Sequence, residues 1–175
     1  MKVIKENSGL ILYSYPKILD ERGFFQKTFN DNDLKKLNFS LKEQYFSLSH
    51  KNVVRGFHFQ NPPFESSKLI LCIKGKVLDV VIDLRKNSDT FLKCFKYELS
   101  EKKSEMLFIP VGFGHAFLGL ESENILLYNI DQVYSKENDS GILWDSSSFK
   151  WPVKNPKISQ RDKSFVNLKN FKSPF

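Results

Sequence analysis

The sequence predicts an all-β protein, built either as a sandwich of two sheets or as a closed double-sheet barrel. Short segments rich in Val, Ile, Leu and Phe recur along the 175 residues, and most have the length of one strand. Turn signals separate them, as at residues 61–63, 74–75 and 110–112. Hydrophobic residues make up 41% of the chain, which is enough for a substantial core in a domain of this size.

The predicted strands follow one another with turns between most of them. The first, residues 9–15, ends before Pro16, and the second, residues 24–29, begins after a turn at residues 20–23. The remaining segments either alternate apolar and polar residues or form short apolar runs. They span residues 44–49, 53–60, 68–73, 75–84, 91–99, 106–109, 116–120 and 125–132.

One helix is predicted between the second and third strands, at residues 31–37. Either Asp31 or Asn32 can cap its N-terminus, and Leu34 and Leu37 fall on one helical face. A helix this short is expected to lie at the periphery of the β structure.

The remaining features favour a single domain, residues 1–175. No repeat or linker interrupts the chain, and the segment from about residue 151, rich in Pro, Lys and Ser, is expected to wrap the barrel as loop and short helix. Cys72 and Cys94 both fall in predicted strands, which favours two reduced thiols over a disulfide framework.

The net charge of +7, from 27 basic and 20 acidic residues, suits nucleic acid, a membrane surface or a small anion. The charges are scattered and form no basic arm, which argues against nucleic acid. No apolar run approaches the roughly 20 residues that a membrane helix needs, and the N-terminus lacks a long apolar segment. We therefore predict a cytoplasmic protein with no membrane partner.

Residues 53–60, Val-Val-Arg-Gly-Phe-His-Phe-Gln, place ionisable side chains on a strand that should face a core. Arg55 and His58 are three residues apart, so strict alternation puts them on opposite faces. Gly56 allows a bulge or a close backbone approach that would re-aim one of them. Charged groups on a buried wall are costly unless they are paired or used. This strand is therefore expected to form the wall of a functional site.

Further motifs occur in order around this strand. They lie at residues 20–25 (DERGFF), 53–60 (VVRGFHFQ), 68–69 (KL), 75–85 (GKVLDVVIDLR), 109–117 (IPVGFGHAF), 141–145 (GILWD), 151–152 (WP) and 158–162 (ISQRD). Over residues 3–165 the chain resembles the dTDP-4-dehydrorhamnose 3,5-epimerases, the RmlC-like cupins. The resemblance implies an all-β cupin jelly roll, or double-stranded β-helix, with short peripheral helices. It also implies a homodimer with no metal and no organic cofactor.

The family's reaction, which the resemblance implies here, inverts C3, C5 or both in a 4-keto-6-deoxyhexose linked to a nucleotide diphosphate. Such a step belongs to deoxysugar and polysaccharide biosynthesis. A C–H bond beside a ketone is a weak acid, so the reaction needs a base on one ring face and an acid on the other. A cation at the enolate oxygen stabilises the developing charge.

The match to the family motifs gives each of these roles to a residue. His58 is the base, since histidine titrates nearest to neutral pH, and Asp162 would fix its tautomer. Tyr128 is the acid, and Lys68 lies near the sugar ketone. His58 by itself would equally well be a core histidine bonded to a carbonyl group.

The same match implies further substrate-binding residues. Arg22 and Arg55 correspond to arginines near the substrate, where a guanidinium group suits a diphosphate. Tyr134 corresponds to an aromatic that stacks on the nucleotide base, and Asp139 to an acidic residue near the ligand. Arg161 stands where lysine is common in the family.

His115 and Asp79 match a His and an Asp of the family and are expected to form a second buried polar pair. The pair would shape the floor of the pocket, as a substrate-binding and a supporting residue respectively. A purely structural pair is an equally open interpretation.

Two departures from the family pattern affect the predicted nucleotide side of the site. Gln26 and Lys27 stand where an acidic residue is usual, and residues 43–45 read Glu-Gln-Tyr where Gln-x-Asn is frequent. These changes leave the proton-transfer residues intact, but they leave open which nucleotide and which sugar are used.

Three alternative functions also remain at this stage. An epimerase acting at C3 only or C5 only, on a dTDP-, CDP- or GDP-linked sugar, would share these motifs. A metal-dependent cupin such as a dioxygenase needs clustered imidazole and carboxylate ligands, and the three histidines form no H-x-H pair. A non-catalytic cupin that binds sugar nucleotides would not need a base, an acid and a cation together.

Overall fold

Short antiparallel strands dominate the protein, whose computed structural model describes residues 2–175. The strands are β1 (Lys2–Asn7), β2 (Leu10–Ser14), β3 (Lys17–Asp20), β4 (Gly23–Gln26), β5 (Glu43–His50), β6 (Val54–Gln60), β7 (Lys68–Lys74), β8 (Lys76–Asp83), β9 (Cys94–Ser100), β10 (Glu105–Ile109), β11 (Phe113–Gly119), β12 (Glu123–Ile130) and β13 (Asp139–Gly141). The helices are α1 (Asp31–Lys35), α2 (Gln160–Lys163) and a 3-10 helix (Leu168–Asn170). The all-β prediction is confirmed.

Two antiparallel sheets form the barrel. One has six strands in the order β1-β2-β10-β7-β12-β5, and the other has five in the order β13-β6-β11-β8-β9. Neighbours such as β2 and β10 are distant in sequence, so the chain crosses repeatedly from one sheet to the other. This winding is the jelly roll that the sequence predicts. The hairpin of β3 and β4 pairs with neither sheet.

The main core lies between the two sheets and is built from their inward-facing residues. Leu107 and Leu126 of the six-stranded sheet belong to one buried cluster with Val77, Val81 and Phe117 of the five-stranded sheet. On β8 the period of two also turns Asp79 to this side, and the residue is fully buried. A carboxylate at a core position requires either a partner or a function.

The opposite face of the five-stranded sheet is also buried, because the C-terminal segment covers it. Phe59 and Ile82 pack there with Trp151, Leu168 and Phe171 from the segment after residue 151. Burial on both faces accounts for the nearly continuous apolar sequence of β8. This covering segment also carries α2 to the start of β6, which places Asp162 at the site described below.

Three strands were not predicted, namely β1, β3 and β13. All residues of β1 are exposed, and β3 is four residues long with three exposed positions, so neither shows buried alternation. The predicted strand at 24–29 is confirmed only as β4, and the predicted strand at 91–99 begins later, at Cys94. The short strands and the strand ends that the prediction missed form by pairing with neighbouring strands, and they carry no local hydrophobic pattern.

The predicted helix at 31–37 forms, but it is shorter and is capped one residue earlier than expected. It covers Asp31–Lys35, and the side-chain oxygen of Asn30 accepts a hydrogen bond from the Asn32 N–H at 3.0 Å. Leu34 anchors it to a second buried cluster at the outer face of the six-stranded sheet.

Two further predictions, on the cysteines and on membrane-spanning helices, can be compared with the structure. Cys72 and Cys94 are free thiols, as expected. Within residues 2–175, no helix has the length and hydrophobicity needed to cross a bilayer.

Candidate active site

The predicted irregularity of β6 at Gly56 is present. His58 pairs with His115 of β11, but Arg55 pairs with Phe117, so β6 holds one extra residue in this interval. Gly56 has a φ of 116°, and a Cβ atom there would lie 2.4 Å from the His115 carbonyl oxygen. The bulge brings Arg55 and His58 to the same cavity, although strict alternation would separate them.

Two connected cavities open beside β6. The outer groove has a volume of about 470 Å³, and its lining includes Gln60, Tyr134, Asp139 and Arg161. The inner chamber, of about 160 Å³, is lined by Ser47, Arg55, His115, Phe117 and Tyr128. Tyr45, His58 and Lys68 line both and therefore form the junction between them.

His58 is held by Asp162, as predicted. The imidazole Nε2 lies 3.1 Å from Asp162 Oδ1, and Asp162 Oδ2 accepts a hydrogen bond from the Gly56 N–H at 3.0 Å. The carboxylate is a hydrogen-bond acceptor, so Nε2 carries the proton and Nδ1 has the lone pair. Within residues 2–175, Nδ1 has no hydrogen-bond partner. His58 therefore presents an oriented and available base.

Opposing effects set the ionisation of this pair. Burial lowers the pKa of His58, and the hydrogen bond and negative charge of Asp162 oppose that change without cancelling it. Burial would raise the pKa of Asp162, but hydrogen bonds from His58, Gly56 and Ser159 outweigh it and lower the pKa to about 2. At neutral pH the pair is thus a neutral imidazole beside a carboxylate.

Tyr128 reaches the inner chamber from β12 and carries a protonated phenol. Its ring is buried and stacks on Tyr45 with a centroid separation of 4.7 Å. The hydroxyl lies 3.4 Å from Ser47 Oγ. Burial is the main cause that raises the pKa of Tyr128, so the phenol retains its proton at neutral pH.

Lys68 supplies a cation at the junction of the two cavities. Its Nζ donates a hydrogen bond to the His58 carbonyl oxygen at 3.3 Å, and the residue is 9% exposed. Burial lowers the pKa of Lys68 to about 8, while Asp139 and Asp79 favour the charged form. The ammonium group is therefore mostly protonated at pH 7 and lies next to the base.

His115 and Asp79 form the predicted second pair, and His115 lines the inner chamber. Their Nε2 and Oδ2 atoms lie 2.7 Å apart, and both side chains are buried. Arg55 lines the same chamber and donates hydrogen bonds to Ser49 Oγ at 2.8 Å and to the Leu48 carbonyl at 3.1 Å. Arg55 thus lies with the proton-transfer residues rather than in the outer groove.

The outer groove contains the three other residues predicted near the nucleotide. Arg161 forms an ion pair with Asp139, and the Tyr134 hydroxyl donates to Asp139 Oδ2 at 3.2 Å. The Tyr134 ring is 59% exposed and is available for stacking. Glu43, one of the departures from the family pattern, accepts a hydrogen bond from the Tyr134 N–H at 2.7 Å.

Three predicted site residues line neither cavity: Asp162 and Asp79, which each contact a histidine that does, and Arg22, which has no such contact. Arg22 lies at the turn between β3 and β4, where it forms an ion pair with Asp20 at 2.6 Å. Its side chain is 85% exposed. A substrate-binding role for Arg22 remains a prediction, because Arg22 does not line the cavities of its own chain.

Several residues of the site were not singled out from the sequence. Gln60 lies two residues after His58 on β6, and Ser47 lies on β5 beside the Tyr128 hydroxyl. The period of two from His58 would have indicated Gln60. No local signal indicates Ser47, because its position depends on the pairing of β5 with β12.

This fold and site define a jelly-roll protein equipped for proton transfer on a small ligand, with a neutral base, a protonated phenol and a cation around one chamber. A family model described as dTDP-4-dehydrorhamnose 3,5-epimerase matches residues 5–170. The chain therefore belongs to the dTDP-4-dehydrorhamnose 3,5-epimerase family.

Individual relatives agree with this membership. The chain is 39% identical over 168 residues to dTDP-4-dehydrorhamnose 3,5-epimerase of Shigella flexneri, covering 93% of each protein. The Bacillus anthracis enzyme of the same name, solved with TDP and PPi bound, has 36% identity and a TM-score of 0.91, covering 95% of this chain and 99% of that one. The Legionella pneumophila epimerase, solved with dTDP-4-keto-L-rhamnose, has 27% identity and a TM-score of 0.92, covering 98% and 94%.

Proposed function

We propose that this protein is an epimerase that inverts C3 and C5 of a dTDP-linked 4-keto-6-deoxyhexose. The observation that carries this proposal is that His58 and Tyr128 line the same chamber of about 160 Å³, with Lys68 at its mouth. A base and an acid around one small space can act on the two faces of one sugar ring.

In the first step Nδ1 of His58 takes the proton from the carbon next to the ketone. The electron pair of that C–H bond moves toward the carbonyl oxygen and forms an enolate. The ammonium group of Lys68 stabilises the negative oxygen, and the low polarity around it strengthens that interaction. Asp162 stabilises the imidazolium that results.

In the second step Tyr128 returns a proton to the opposite face of the same carbon. The phenol O–H bond breaks as the new C–H bond forms, which leaves a phenolate that recovers its proton from solvent. Burial raises the pKa of Tyr128, so the phenol is fully protonated when the enolate appears. The His58 imidazolium releases its proton to solvent, and repetition of both steps at the second carbon then completes the double inversion.

Each of the two cavities binds a different part of the substrate. The inner chamber takes the sugar, and the larger outer groove takes the nucleotide diphosphate, with Tyr134 beside the base and Arg161 beside the phosphates. The relatives solved with TDP or with dTDP-4-keto-L-rhamnose support the choice of dTDP. An epimerase acting at one carbon only remains the alternative that the same site permits.

A deuterium-exchange experiment tests the proposal. Incubation with dTDP- and CDP-linked 4-keto-6-deoxyglucose in D2O, followed by NMR, reports which carbons take up deuterium and which invert. We expect uptake and inversion at both C3 and C5 with the dTDP substrate. Absence of both with every substrate would refute the function, whereas inversion at one carbon would identify the single-site alternative.

The pH profile should reflect the two shifted pKa values of the base and the cation. Only neutral His58 is a base, and its pKa is lowered, so we expect the acid limb of kcat/KM to fall below pH 6.5. Lys68 must be protonated, so the alkaline limb is expected near pH 8. Asp162→Asn removes the charge that favours imidazolium and should move the acid limb to still lower pH at a reduced rate. An acid limb that moves upward in this variant would contradict the assignment.

We also propose that the protein is a homodimer. The β3–β4 hairpin exposes four large apolar side chains, Ile18, Leu19, Phe24 and Phe25, each more than half accessible. A two-stranded hairpin that pairs with neither sheet is marginally stable in water unless its apolar face is covered. A second copy of this chain would provide that cover. In such a dimer Arg22, at the turn of the hairpin, would lie against the partner subunit. Its predicted role in substrate binding would then be at the partner's site.

The double substitution Phe24→Asp with Phe25→Asp should weaken this dimer by about 100-fold or more, because it places two charges in an apolar contact. Sedimentation velocity over a range of concentrations measures the change. Phe91→Asp, at another partly exposed phenylalanine, serves as the matched control and should remain dimeric. A wild-type protein that is monomeric at every concentration would refute the proposal.

Free thiols in both strands β7 and β9 are typical of a reducing compartment, and they support a cytoplasmic location. We include this location in the proposal, since a nucleotide-linked sugar is also a substrate expected there.

A further inference from the structure

We propose that Tyr45 is a positioning residue that holds the Tyr128 phenol for proton return. In this role Tyr45 determines how often the enolate is inverted rather than reprotonated on the face from which it lost its proton. The inference rests on the proposed function and concerns a position where this chain departs from the usual family pattern.

The contact between the two rings is direct and is set by strand pairing. Tyr45 on β5 is the cross-strand partner of Tyr128 on β12. Their ring centroids are 4.7 Å apart, and their planes differ by 18°, which is a parallel stack. Tyr45 also lines both cavities, so its ring borders the position that the substrate would occupy.

Few other contacts fix the position of the phenol. Among residues 2–175 its hydroxyl has one hydrogen-bond partner, Ser47 Oγ, at a long 3.4 Å. The His115 ring contacts the Tyr128 ring edge-on at a centroid separation of 6.2 Å. The Tyr45 stack is therefore the closest ring contact of Tyr128, and an asparagine at this position could not replace it.

The effect of such positioning appears in the fate of the enolate. His58 can return a proton to the face from which it came, and after exchange with solvent this gives deuterium uptake without inversion. Tyr128 can donate from the opposite face, and this gives inversion. A displaced Tyr128 slows only the second route, because proton removal by His58 does not involve the phenol.

The experiment compares Tyr45 variants with wild type, using dTDP-4-keto-6-deoxyglucose in D2O. The quantity measured is the ratio of deuterium uptake without inversion to inversion. Tyr45→Ala should raise this ratio roughly ten- to hundredfold, since small misplacements of reacting groups have effects of that size. Tyr45→Leu, which keeps bulk but not the stack, should raise it in the same direction. Tyr45→Phe keeps the ring and should leave the ratio within about twofold of wild type.

Phe95→Ala provides the matched control for loss of an aromatic ring. Phe95 packs partly buried against the main core and lines neither cavity, so its removal should leave the ratio unchanged. A rise of the ratio in this control would show that general loosening of the barrel, rather than the stack, is responsible, and would overturn the proposal.

Other outcomes separate this inference from the proposed function. If Tyr45→Ala and Tyr45→Leu raise KM at an unchanged ratio, Tyr45 only binds substrate, and the positioning role is wrong. If Tyr45→Phe loses inversion as completely as Tyr128→Phe, the Tyr45 hydroxyl is itself a proton donor, which also overturns the proposal. If wild type shows neither uptake nor inversion, the proposed function itself fails.

Discussion

Replacement of His58 by asparagine is expected to reduce turnover by about 1,000-fold or more and to abolish deuterium uptake at C3 and C5. Asparagine has no basic nitrogen, so it cannot accept the proton that His58 Nδ1 would take. The asparagine side chain is smaller but polar, and Asp162 retains its hydrogen bond from the Gly56 N–H. The loss should therefore be chemical rather than structural.

Two measurements make this result specific. Calorimetric binding of dTDP should stay within a few fold of wild type, because the outer groove is unchanged. His50→Asn is the matched control, since His50 is an exposed histidine on β5 that lines neither cavity, and it should retain full activity. Deuterium uptake at the wild-type rate in the His58 variant would eliminate His58 as the base.

Tyr128→Phe is expected to lose inversion by about 100-fold or more while deuterium uptake continues. The substitution removes one oxygen atom and leaves the ring to stack on Tyr45. Proton removal by His58 needs no phenol, so exchange from the His58 face should persist. NMR in D2O, with uptake and inversion followed separately, distinguishes the two routes.

The matched control for this change is Tyr13→Phe, at a buried tyrosine outside both cavities. It should leave uptake and inversion at wild-type rates. Equal loss of uptake and inversion in Tyr128→Phe, to the level of the His58 variant, would contradict the division of roles. A variant that still inverts at the wild-type rate would show that another group returns the proton.

Much of the barrel could be predicted, because buried strands have a local signature. The apolar run of β8 and the alternation of β6 both appear in the sequence, and the corresponding strands are present. Strands β1, β3 and β13 were missed for the converse reason. Their residues are exposed or too few to show alternation, and they become strands only by pairing with a neighbour.

The site could be predicted in part. The motif match predicted His58, Tyr128 and Lys68 as catalytic residues, and all three line one chamber in the structure. Arg22 could not be located in this way, because its position depends on a hairpin that stands apart from both sheets. The contact of Ser47 with the Tyr128 hydroxyl could not be predicted either, because it follows from the register of β5 against β12.

The amino-acid sequence alone determined the kinds of chemical group available, the approximate strands and the glycine that interrupts β6. The unperturbed side-chain pKa values and local periodicity are properties of single residues and short segments, and they can be inferred without knowledge of the fold. These properties indicated an all-β framework and a functional site at the strand that carries His58, whereas the acid, Tyr128, was implied only by the resemblance to the family.

Only the tertiary structure shows how these groups meet, although the motif match implied the pair of His58 and Asp162. Asp162 lies 104 residues after His58, yet the covering segment and α2 bring its carboxylate to 3.1 Å from the imidazole. Tyr45 and Tyr128 stack because two distant strands pair in one register. Periodicity specifies the face on which a side chain lies, but not its neighbours, because contacts between distant segments depend on how the whole chain packs.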